Sequence, residues 1–97
     1  MPAAEPATVA RSGDTLRFSG ALLREAVGAL WKQAGNDVDG VRRIDLTAVS
    51  RVDSAGVALL AELAGRCGDE PAILGAPSGL PELRAAYRLS PSLAFSG

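Results

Sequence analysis

The stretch from Arg43 to Leu60, RIDLTAVSRVDSAGVALL, limits most tightly how this chain can fold. Ile44 and Leu46 alternate with Arg43, Asp45 and Thr47, which is the period of a strand with one buried face. A short connection then carries Val49 and Val52 to Asp53-Ser54. Beyond it, Val57, Leu60, Ala61 and Ala64 recur at helical spacing up to about Arg66. A strand that passes into a helix through one polar turn must lay that helix back on its own sheet, so the segment predicts an α/β domain.

The turn itself is built from small residues. Asp53 or Ser54 can accept a hydrogen bond from the free N–H groups of the helix's first turn, and an acidic group there meets the positive end of the helix dipole. Ala55 and Gly56 let another backbone approach closely. Gly56 costs about 1 kcal/mol in a helix relative to alanine, so its presence asks for a packing or a docking reason. Two readings therefore stand side by side: an ordinary N-cap with small residues for tight helix–sheet packing, or a turn that docks on a partner.

The rest of the chain fits around this unit. Residues 1–7, with Pro2 and Pro6, read as a flexible head, and residues 8–97 as a single domain. Thr8–Arg11 and Thr15–Ser19 flank Ser12-Gly13-Asp14 as a hairpin, with Leu16 and Phe18 facing inward. A helix is predicted from Ala21 to Ala34 on the stripe Leu23, Val27, Leu30 and Ala34, with Ala26 and Trp31 beside it, ended by Gly35-Asn36. Ala72–Gly75 reads as a short strand. Ser78 reads as the cap of a third helix containing Leu80, Leu83 and Tyr87. Leu89, Leu93 and Phe95 form a last strand or a packed tail, with Tyr87 beneath it. The order predicts a small mixed β-sheet packed by three to four helices.

Composition narrows the function. Ten basic residues are scattered along the 97-residue chain and the net charge is −1, so there is no basic stripe for a nucleic-acid backbone. Histidine is absent, which removes the commonest general base and metal ligand and makes a Ser-His-Asp triad impossible. Val52-Asp53-Ser54-Ala55-Gly56 lacks the first glycine of a nucleophile elbow, and Gly75–Gly79 lacks the Gly-Lys-Ser/Thr of a phosphate loop. No catalytic residue, cofactor or metal is expected. Cys67, the one cysteine, reads as an inert free thiol, and Trp31 as a core or half-core aromatic. Arg42, Arg43 and Arg51 read as a solvated edge, or as a face toward an acidic partner. The N-terminus does not have the build of a secretory signal, and the Val57–Ala64 stretch is far too short to span a membrane. A cytoplasmic protein without direct membrane insertion is expected.

Ile44–Val57, IDLTAVSRVDSAGV, resembles the signature of STAS domains, in which a hydrophobic strand ends in a D-[ST]-x-G turn that begins a helix. These domains include anti-sigma-factor antagonists and the small accessory subunit of the Mla phospholipid ABC transporter. Ser12–Leu16, Leu30-Trp31 and Leu83–Leu89 look more like the transporter subunit. Ser54 stands where threonine is expected in those proteins, and keeps the hydroxyl. The resemblance implies a STAS-like fold and a non-catalytic subunit. It would bind the transporter's ATPase, and through it the permease and substrate-binding subunits, at the periphery of the inner membrane. The implied docking residues are Asp53, Ser54, Ala55, Gly56, Ala58, Leu59 and Glu62. The alternative is an anti-sigma-factor antagonist controlled by phosphorylation of Ser54.

Overall fold

The computed structural model describes residues 7–35, 38–67 and 71–89. Its first two strands are the hairpin that the alternation predicts. β1 (Thr8–Ser12) and β2 (Thr15–Leu22) pair antiparallel, with Ser12 opposite Thr15 and Val9 opposite Phe18. Leu16 and Phe18 are buried and Arg17 points out.

β2 runs on through Gly20, Ala21 and Leu22, where a helix was expected to begin. Ala21 and Leu22 are both buried there. The strand holds its pairing with β3 by shifting register between Arg17 and Ser19 and again between Gly20 and Ala21. Such irregularities break the two-residue period that announces a strand. The first helix, α1, is Arg24–Ala34. Leu30 and Ala34 are buried, whereas Val27, Ala26 and Trp31 are half-buried. Asn36 and Asp37, expected to end the helix and open the next loop, lie outside the described residues.

β3 (Arg43–Val52) is likewise longer than its alternation suggests, and Val49 and Val52 belong to it and not to a connection. They are held opposite Gly20 and Leu22 of the extended β2. α2 (Ser54–Arg66) follows at once, then β4 (Ala72–Leu74) and α3 (Leu80–Ala86). The cap of α3 is Gly79 and not Ser78. Gly79 sits at φ 93°, and a Cβ there would meet the Val52 carbonyl oxygen at 2.5 Å. Ser78 instead accepts from the Val52 N–H through its own carbonyl at 2.9 Å.

The sheet has the order β1-β2-β3-β4, with β1 antiparallel to β2 and the other two pairs parallel. Two right-handed crossovers that step in one direction across a sheet put their helices on the same face. α1 and α2 do pack against each other, and α3 packs on α2. Between them and the sheet lies a core that includes Phe18, Leu22, Ile44, Leu46, Leu60 and Leu63. Trp31 of α1 carries the Arg66 guanidinium of α2 over its ring, 4.6 Å from the centroid.

The other face of the sheet carries an ion pair at neighbouring register positions. Asp45 Oδ2 accepts from Arg17 Nε at 3.3 Å, while Oδ1 accepts from the Thr47 N–H at 2.9 Å and hydroxyl at 2.6 Å. These partners satisfy the carboxylate of a side chain that is only 10% exposed. Cys67 is buried, with its thiol on the Leu63 carbonyl. Leu93, Phe95 and the head residues 1–6 lie outside the described part.

Candidate functional site

Val52 ends β3 buried, and the chain leaves the sheet at Asp53 in an extended conformation before α2 begins. Of the two expected caps, Asp53 is the one used: its Oδ1 accepts from the Gly56 N–H at 2.9 Å. Its Oδ2 accepts from the N–H of Arg24, the first residue of α1, at 2.9 Å. Its own N–H donates to the Leu22 carbonyl at 3.2 Å. Partial burial works against ionisation of Asp53. The amides of Gly56, Arg24 and Ala55, helped by the charge of Arg24, outweigh it and hold the carboxyl below its ordinary pKa.

Gly56 is required by packing inside the domain. A Cβ there would lie 2.2 Å from the Leu22 carbonyl oxygen and 3.0 Å from its carbon. The backbone that approaches the turn is therefore the chain's own β2. Gly56 is buried and offers no surface to a partner. Leu59 is corrected in the same way. It is 4% exposed and belongs to the core, so its side chain is not part of an outer patch. The reason is that α2 packs on the sheet, on α1 and on α3 at once, which buries a wider arc of the helix than a single stripe.

What remains outside is narrower and flatter. Ser54, Ala58 and Glu62 are exposed and Ala55 is half-exposed. Glu62 reaches Arg66 one turn on, at 3.7 Å. Beside them runs an apolar groove of about 260 Å³, lined by Ser54, Ala55, Val57, Ala58, Ala61, Tyr87 and Leu89. Tyr87 is 46% exposed and forms one wall of the groove, and the tail expected over it lies outside the described residues. It ends α3 with its N–H on the Leu83 carbonyl. Arg88, at φ 54°, then turns the backbone so that Leu89 is buried behind it. Tyr87 and Leu89 join the Ser54 face from more than thirty residues away, so no local pattern could place them there.

This arrangement suits contact better than chemistry. Both Asp53 oxygens accept backbone N–H groups, so that carboxylate is a cap and is not free to take a proton from Ser54. Among the described residues, no group of three or more His, Cys, Asp or Glu side chains is placed to hold a metal. Nor is any helix among them long and apolar enough to cross a membrane. Arg43 pairs with Asp14 at 3.0 Å, which ties that part of the arginine edge to the hairpin turn.

Residues 7–90 match the family model described as "Mlab, STAS domain". The chain is 37% identical over 82 residues to the "Intermembrane phospholipid transport system binding protein MlaB" of Escherichia coli strain K12, covering 81% of this chain and 84% of that protein. It shares the same identity and coverage with the protein of the same name from Shigella flexneri.

Proposed function

This chain belongs to the MlaB-type STAS domain family, and on that premise we propose that it is a non-catalytic accessory subunit of a phospholipid transport system. It docks on the ATPase of that system from the cytoplasmic side, and through the ATPase it is held at the inner membrane with the permease and substrate-binding subunits. The observation that carries the reading is the surface built at the Asp53–Gly56 turn. A hydroxyl at Ser54 and the small side chains of Ala55 and Ala58 make a flat platform, continuous with the apolar groove under Tyr87. A platform of this kind admits close approach by a partner helix or loop, and Glu62 supplies a charged rim. An interface of standard size covers about 800 Å² on each partner, which the face of α2 with the end of α3 can supply.

Ser54 is exposed and lies at the first position of α2, so a bulky cation there blocks docking without entering the core. The test is a pull-down from native membrane extract, with wild type and Ser54→Arg as baits in parallel. Capture of an ABC ATPase with its permease by wild type, and its loss with the variant, is the expected result. Equal capture by both removes the platform as the docking site. Capture of a soluble anti-sigma kinase by wild type transfers the chain to the phosphorylation-controlled antagonists.

A further inference from the structure

We propose that Asp53 serves the docking face as a positioning residue, by clamping the N-termini of α1 and α2 on one carboxylate; this rests on the docking reading above. α1 begins without a side-chain cap of its own, because Leu23 stands at its N-cap. Its first N–H groups have no partner within the helix. One of them, on Arg24, is satisfied by Asp53 Oδ2 from 29 residues away. The other oxygen caps α2 at Gly56. The Asp53 N–H closes the ring on Leu22, the last residue of β2. Gly56 presses on that same Leu22 carbonyl with no room for a methyl group. The first turns of two helices thus converge on one side chain, and the backbone of the same residue ties them to the end of β2. These bonds fix how far the first turn of α2, and with it Ser54, Ala55 and Ala58, stands out from the sheet.

The carboxylate is needed for this because it offers two acceptor oxygens. Asparagine has the same shape but one acceptor and one NH₂ donor, so one of the two helix amides must lose its partner. A residue that merely touched the ATPase would leave the Arg24 amide unchanged when replaced.

The experiment uses the full chain labelled with ¹⁵N and ¹³C. In the wild type, a long-range HNCO spectrum shows through-hydrogen-bond couplings from the amides of both Arg24 and Gly56 to the Asp53 side-chain carbon. In Asp53→Asn, at least one of these two amide protons moves upfield. Affinity for the purified ATPase falls about fivefold, the factor that matches the roughly 1 kcal/mol of a lost cap when docking has to restore the turn. A Gly56 coupling without an Arg24 coupling in the wild type overturns the clamp, and this readout does not depend on the variant folding. Unchanged affinity in a variant with a shifted Arg24 amide overturns its role in docking. Should Ser54→Arg bind the ATPase as well as wild type while both couplings are present, the docking reading fails and the clamp stands.

Discussion

Replacing Gly56 with alanine tests whether the signature glycine is there for packing. Its added methyl carbon would begin 2.2 Å from the Leu22 carbonyl oxygen and 3.1 Å from the Leu22 Cβ. Both neighbours sit at the end of a paired strand, so relief requires α2 to lift from the sheet by roughly 1 Å to reach ordinary contact. Alanine returns up to about 1 kcal/mol of helix propensity. Against that stand about 1–3 kcal/mol for overpacking. Weakening the bonds that Asp53 makes to Leu22 and Arg24, at 3.2 and 2.9 Å, costs about 1 kcal/mol each. The net expectation is a loss of about 2–4 kcal/mol, and for a domain of this size that lowers Tm by at least roughly 8 °C. Thermal unfolding followed by circular dichroism measures it directly. A variant that melts with wild type, or above it, would refute the packing account and return Gly56 to the docking surface.

Two further outcomes follow from the titratable groups. Asp45 is held below its ordinary pKa by the Thr47 hydroxyl and amide, which together with Arg17 outweigh the burial that opposes them. A lowered folded pKa contributes stability that is full above about pH 4 and is lost as the pH falls toward the folded value. Asp45→Asn therefore destabilises the protein at neutral pH, and urea titrations at successively lower pH show the gap to wild type closing. Burial pushes the Cys67 thiol up, with the charge of Arg11 opposing it only in part. Ellman's reagent is expected to leave Cys67 unmodified in the native protein at pH 7 and to titrate one thiol in denaturant.

The sequence made the hairpin and α2 plain, because each has an unbroken period: Leu16 and Phe18 for the strand, and Val57, Leu60 and Ala64 for the helix. It concealed the far halves of β2 and β3. There the register shifts around Gly20-Ala21 and the run Val49-Ser50-Arg51-Val52 fit neither period, and the strands are held by pairing with each other. The Asp53 turn could be found from its residue types, and Ser54, Ala58 and Glu62 beside it are exposed. Leu59 and Gly56 were not separable from them, because which side of α2 is covered depends on α1 and α3, and the sequence does not show how those helices lie. Tyr87 reads as core from its apolar ring, yet the turn at Arg88 buries Leu89 and leaves the ring half-open among the described residues, and the tail expected over it lies outside them.

The ring of hydrogen bonds around Asp53 also bears on the order in which the molecule comes together. It joins residues about thirty positions apart, Leu22 and Arg24 on one side and Asp53 and Gly56 on the other. Such contacts form only after the chain has met the entropic cost of closing a long loop. The β1–β2 hairpin is local and closes early, but it contains no part of the Ser54 platform. The platform takes its final shape once β2 and β3 have paired and both helices have settled. A nascent or misfolded copy thus carries the same signature residues without the surface they make.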